Sequence, residues 1–142
     1  MGATRLMRVV LDSNILFSAL ISPHGPPHRI YQAWRRRRFE LVTCTFQIEE
    51  LRRASRYPKF HEILHPNRVG RMLNNLQGAT MLERLPGGYE AADPDDAWLL
   101  ALADAAHVDH LVTGDKRSGL LARRRIGTAS ILAATAFCKL VE

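Results

Sequence analysis

The sequence predicts an α/β fold: residues 1–142 as one domain, a central parallel β-sheet flanked by helices. Three observations predict it. Short strand-like runs alternate with longer stretches of helical periodicity, the order expected of a parallel sheet built from strand–helix–strand units. The run Arg8–Leu11 (RVVL) is apolar at consecutive positions rather than alternate ones, which fits a strand covered on both faces. A chain of 142 residues with 46% hydrophobic content can bury one sizeable core, and it is too short for two ordinary domains.

Taken in order, the strand at residues 8–11 runs directly into Asp12, and residues 15–21 read as a short helix broken near Pro23. A second helix starts at Pro26 and Pro27, residues suited to a first helical turn. It ends in the block Arg35 to Arg38, where positive charge meets the negative end of the helix dipole. Residues 39–43 (FELVT) form the next strand, with Thr45 as cap of a helix that carries Glu49 and Glu50 to about Ser55. Asn67 is the expected cap of a further helix, in which Val69, Met72, Leu73 and Leu76 recur at i, i+3, i+4 and i+7. Gly78 ends it, residues 79–85 read as a third strand, and Pro86, Gly87 and Gly88 open a loop. The segment Asp93-Pro94-Asp95-Asp96 then starts a helix through Ala106, followed by a strand at His110–Thr113 and a Gly114-Asp115 turn. A strand near residues 130–132 and a C-terminal helix complete the order. Trp98, Leu99, Leu102, Ala103 and Ala106 read as core packing, and Trp34 as packing between the second helix and the sheet, with base stacking as its alternative.

Composition narrows the partners. The formal charge of +6, densest at Arg35 to Arg38 and Arg123 to Arg125, favours a polyanion, although arginine runs also serve simply as solvated helix ends. No apolar run reaches 18 residues and the N-terminus carries no secretory-signal pattern, so a soluble cytoplasmic protein without a membrane partner is expected. Cys44 and Cys138 are far apart and form no CxxC pair, which suggests reduced, partly buried packing residues rather than a disulfide or thiolate zinc site.

The chemistry rests on acids. In an open parallel sheet, the loops leaving the carboxyl ends of the strands face one crevice. Asp12 and Asp115 each follow a strand there, and the helix opened by Asp93 to Asp96 leaves the same edge; Glu50 sits a turn into its helix, with Glu49 beside it. Hard divalent cations take oxygen ligands, and clustered carboxylates would repel one another without a cation. Each acid also has a plainer reading. Asp12 and Asp115 suit turns, Asp93 suits an N-cap with Pro94 behind it, Asp96 suits a capping box, Asp95 complements a helix dipole, and Glu50 suits a solvated helix face.

The segments VVLDSNILFSAL, IEELRRASRYPKF, DPDDAWLLALADAAHVDHLVTGD and ILAATAFCKLV together resemble the successive blocks of PIN-domain proteins, in particular the PIN-family toxins of toxin–antitoxin systems related to VapC. That resemblance spans residues 8–141. It implies a metal and catalytic site of Asp12, Glu50, Asp96 and Asp115, with Ser13, Asn14 and Thr113 as substrate-contacting neighbours. It further implies Mg²⁺ or Mn²⁺ as cofactor, RNA as substrate, a cognate antitoxin and a homodimer. The sequence departs from the family after Asp115, where Lys116-Arg117-Ser118-Gly119 replaces a more common second Asp and leucines. On this reading Asp12, Asp96 and Asp115 hold one or two divalent ions, Glu50 is a further ligand or orients a metal-bound water, Ser13 and Asn14 bond a carboxylate or a substrate phosphate, and the basic surface follows the RNA backbone.

Three alternatives are weaker. The HEILH segment, His61 to His65, matches the zinc-protease HExxH pattern, but Pro58 and Pro66 leave no room for the long helix it requires. A haloacid-dehalogenase phosphatase needs a second Asp two residues after the first, where this chain has Asn14. A non-catalytic PIN-like RNA-binding module would dispense with acids that are all present here.

Overall fold

A computed structural model describes residues 5–114 and 119–142, apart from the side chains of Lys59 and His61. Strand β1 (Arg8–Leu11) leads into α1 (Ser13–Ile21) and α2 (Pro26–Arg35), then β2 (Glu40–Cys44) and α3 (Thr45–Ala54). The short α4 (Pro58–His61), α5 (Pro66–Leu76) and β3 (Thr80–Leu82) follow. A 3₁₀ turn (Pro94–Asp96) opens α6 (Ala97–Ala105), which returns to β4 (His110–Thr113); α7 (Leu120–Arg123), β5 (Arg125–Ile126), β6 (Ala129–Ala133) and α8 (Ala134–Val141) complete the described chain.

The sheet order is β3-β2-β1-β4-β6-β5, parallel except for the β5–β6 hairpin at one edge. Successive units build outward from β1 through β2 to β3, and the chain then crosses to the other side of β1 to lay down β4. The direction of winding therefore reverses between β1 and β4, the position at which an open α/β sheet leaves a crevice at its carboxyl edge.

Both faces of the sheet are covered, which explains the consecutive apolar residues in β1. Val9 and Leu11 pack with α1, α2, α3, α5 and α8 through Ile15, Ile30, Leu51, Met72 and Phe137. Val10 faces the opposite layer, with Leu99, Leu102, Leu120 and Ile126. Trp34 is buried in the first layer, edge-on to Tyr31, so its packing reading stands and its rings are closed to a base. Cys44 and Cys138 are free and fully buried rather than partly so, and burial raises both thiol pKa values above the usual range. Among the described residues no helix is long and apolar enough to cross a membrane.

Four local expectations are corrected. Thr45 does not cap α3: the chain passes directly from β2, Cys44 is still extended, and Thr45 is the first helical residue. Asn67 does not cap α5 either, because Pro66, lacking an N–H, takes the first position and the Nδ1 of His65 accepts a bond from the Asn67 N–H. Residues 79–85 contribute only the three-residue β3, which pairs with β2 along Val42–Cys44 before the Pro-Gly-Gly loop carries the chain away. The elements α4, α7 and β5 were not expected from the pattern, being four, four and two residues long. The hairpin between β5 and β6 turns at Gly127, whose φ of +56 lies in the left-handed region that favours glycine.

Candidate active site at the β1–β4 switch point

Asp12 stands where β1 ends. Its N–H donates to the Val112 carbonyl at 2.9 Å, so the backbone of the acid is tied to β4. Its side chain caps α1: Oδ1 accepts from the Asn14 N–H at 3.3 Å, while Oδ2 accepts from the Thr113 hydroxyl at 2.9 Å. Asp12 is only 6% exposed, yet it belongs to the edge where the crevice opens. The cap and turn readings of Asp12 are thus correct as local structure, and they hold the carboxylate in one place.

Glu50 reaches the same point by another route. It lies on α3 beyond the end of β2, half-buried, and its Oε1 accepts from the hydroxyl of Ser13, the residue next to Asp12, at 2.5 Å. Behind Ser13 stands a residue the sequence pattern did not single out, Gln47. Its Nε2 donates to the Leu11 carbonyl at 2.7 Å and to Ser13 Oγ at 3.3 Å, and its Oε1 accepts from the Thr43 hydroxyl at 2.5 Å. Thr43, Gln47 and Ser13 each donate in the same direction, ending on Glu50, so each bond polarises the next. The available signal was spacing: Gln47 follows Thr43 by four residues and precedes Glu50 by three, so one helix face carries both side chains.

Asp96 ends the 3₁₀ turn and leads into α6, and is half-buried. Asp93 caps that turn, its Oδ1 accepting the Asp95 N–H at 3.0 Å, while Asp95 is exposed. Asp93 is thereby occupied with local structure. Asp115 lies outside the described residues. Gly114 directly precedes it in sequence. Among the described residues no three His, Cys, Asp or Glu side chains converge as a metal-holding group. The described part of the site therefore centres on the Asp12–Glu50 pair. Of the expected substrate neighbours, Ser13 and Thr113 are buried and turned toward carboxylates, and Asn14 is exposed.

The other motifs settle differently. The four-residue α4 ends at His61, and His65 caps the next helix, so the HEILH imidazoles have no common helix on which to meet. Arg36 to Arg38 lie at the opposite edge of the sheet: Glu40, two residues on, pairs with Arg8 at the start of β1, about 13 Å along the strand from Asp12. At that edge Arg8 bonds Glu40 and the Ala106 carbonyl, and Asp109 accepts the Arg8 N–H, a network that fastens strand starts. The basic cluster closest to Glu50 is another one. Arg52, Arg53 and Arg56 line a depression with Glu49 at the end of α3, and Arg53 is one turn from Glu50.

An open sheet with a buried carboxylate at its switch point, and a second carboxylate tethered beside it, defines a class of α/β proteins whose chemistry sits at the strand ends. The PIN domain profile matches residues 8–117, and the chain belongs to the PIN-domain family. PIN domains are nuclease-type domains that act on RNA and generally use divalent metal ions. No curated protein matches the chain.

Proposed function

We propose that this chain is a Mg²⁺- or Mn²⁺-dependent endoribonuclease, a single domain over residues 1–142, acting as the cytoplasmic toxin of a toxin–antitoxin pair. The observation that carries the catalytic part is Asp12 at the switch point between β1 and β4, with Glu50 tied beside it by its bond from the neighbouring Ser13 hydroxyl. The resemblance to VapC-related toxins supports the biological role, with a cognate antitoxin and a homodimer as its assemblies. The donor set suits a hard cation: oxygen ligands, with no thiolate or imidazole among Asp12, Glu50, Asp96 and Asp115. When bound, the ion would activate water and neutralise charge on the phosphate undergoing displacement.

The chain's own residues supply position. The Thr113 hydroxyl and Asn14 N–H hold the Asp12 carboxylate at a fixed angle, and the Ser13 hydroxyl holds Glu50 so that its second oxygen is left to orient water. Asp96, at the end of the 3₁₀ turn before α6, and Asp115, which follows Gly114 in sequence, would supply the remaining oxygen ligands. Asn14, exposed at the start of α1, is placed to hydrogen-bond a substrate phosphate. Single-stranded RNA incubated with Mg²⁺ or Mn²⁺ should be cleaved by the wild-type protein and left intact by Asp12→Asn or Asp115→Asn. Both variants should melt at the wild-type temperature or above, because each removes a like charge from the metal-free site. Cleavage within a few-fold of wild type in either variant would sink the assignment.

A further inference from the structure

The aromatic pair Phe46–Trp98 spans the carboxyl edge of the sheet beside the acidic crevice. Phe46 is the second residue of α3, one turn before Glu50; Trp98 is the second residue of α6, two after Asp96. Helices α3 and α6 belong to opposite layers, and the two rings meet over the edge between them with centroids 5.1 Å apart and planes at 50°. Trp98 is anchored by its packing against the second core layer, whereas Phe46 remains 45% exposed. The next residues of α3, Gln47, Ile48 and Leu51, turn inward, so Phe46 is the large apolar side chain of this helix left facing water.

A single exposed phenylalanine needs no explanation by itself. Its surroundings give it one. Arg52 and Arg53 lie further along the same helix and Arg56 just past its end, lining a depression with Glu49, so a half-exposed aromatic side chain and a cationic strip share this part of the molecule within two turns of Glu50. Aromatic faces beside a cationic track are what unpaired nucleic acid recognises: each base offers a π face while the phosphates follow the positive charge.

We propose that Phe46 and Trp98 form a base-stacking platform that seats a nucleotide of single-stranded RNA next to the scissile position, with Arg52, Arg53 and Arg56 holding the adjoining phosphates. The proposal rests on the ribonuclease reading and names how that site grips its substrate. Stacking accepts any base, so the platform sets the register of the strand relative to the acids without imposing a sequence. Trp34 cannot share the task, being enclosed in the core.

Intrinsic fluorescence tests this directly, because the chain has two tryptophans and Trp34→Phe leaves Trp98 as sole reporter. In EDTA, where metal-dependent cleavage is silent, titration with a short uridine oligonucleotide should quench Trp98 saturably. Phe46→Ala and Phe46→Leu should both weaken binding about five- to a hundredfold, and Phe46→Tyr should retain it. An abasic phosphate oligomer should bind wild type and Phe46→Leu alike. In cleavage assays Phe46→Leu should raise KM with kcat largely kept. Phe46→Leu equal to wild type in quenching and affinity, or no quenching by the oligonucleotide, would overturn the platform. Because the titration needs no catalysis, quenching without any cleavage would sustain the platform and defeat the nuclease reading; cleavage without quenching would do the reverse.

Discussion

Gln47 offers the sharpest test of how the site is held, since one side chain joins the ends of two strands to the starts of two helices. It is 1% exposed, and its amide makes three hydrogen bonds, to Leu11, Ser13 and Thr43. Gln47→Leu keeps the volume and removes all three. The Leu11 carbonyl loses a donor and the Thr43 hydroxyl an acceptor at a depth water does not reach, each costing about 1–3 kcal/mol. The added apolar burial returns about 1–2 kcal/mol. The net loss is about 1–4 kcal/mol, which for a domain of this size lowers the melting temperature by about 5–15 °C. Ser13 keeps its bond to Glu50 but loses the amide that orients it, so Glu50 gains freedom. Cleavage measured well below the melting transition should therefore fall about ten- to a hundredfold, in line with misplacement of a catalytic group by about 1 Å. Thermal melting by circular dichroism and single-turnover RNA cleavage read the two effects separately. An unchanged melting temperature would refute the claim that the bonds are structural. A lowered one with wild-type cleavage would show that Glu50 is not positioned through Gln47.

Two further outcomes follow from the charges. Replacing Arg52, Arg53 and Arg56 by serine should reduce both RNA affinity and its log–log salt slope, by about 0.7 for each phosphate of a single strand that is no longer neutralised, whereas serine at Arg36 to Arg38 should leave cleavage of a short oligonucleotide near wild type; equal effects of the two replacements would contradict the placement of the crevice. His110, at the start of β4, has its pKa lowered by burial, against a smaller upward pull from the Asp109 charge, and its Nδ1 is buried with no hydrogen-bond partner among the described residues. The unfolded chain therefore binds a proton below about pH 6.5 that the folded chain resists, so stability present above that pH should decline as pH falls below it. His110→Gln should flatten this decline in urea titrations at about pH 7 and pH 5.5, and an identical decline in the variant would assign it to other groups.

The fold was legible because its strongest signals are local. RVVL is apolar at every position facing a layer, Pro26 and Pro27 mark the first turn of α2, and Asp93-Pro94 marks the turn before α6. The elements that escaped are those whose existence depends on tertiary packing. Strand β5 is two residues long and is defined by Ile126 pairing with Ala129, and α7 is one turn closed by Leu120 in the core. The caps expected at Thr45 and Asn67 lie one and two residues earlier, at Cys44 and His65, because cap chemistry depends on local backbone angles, which sequence preferences describe only on average.

The acids differ in what places them, and that explains how much of the site was legible in the sequence. Asp12 is set by a rule of topology: a residue directly after the first central strand of such a sheet must lie at the switch point, and bonds from Thr113 and Asn14 fix it there. Glu50 is set by a path through Thr43, Gln47 and Ser13, three polar residues that in sequence look like ordinary strand-end and helix residues and acquire meaning only when β1, β2 and α3 meet. Asp96 is set by where a 3₁₀ turn hands over to α6, so its direction depends on the cap at Asp93. Disturbance should follow the same division. A change at Thr113 acts on Asp12 through one bond, a change at Gln47 acts on Glu50 through two, and a change at Asp93 disturbs the 3₁₀ turn that ends in Asp96 and leads into α6 and Trp98. Losing the Asp93 cap would therefore couple the acid and the aromatic platform, two features that nothing in their sequence spacing marks as one unit.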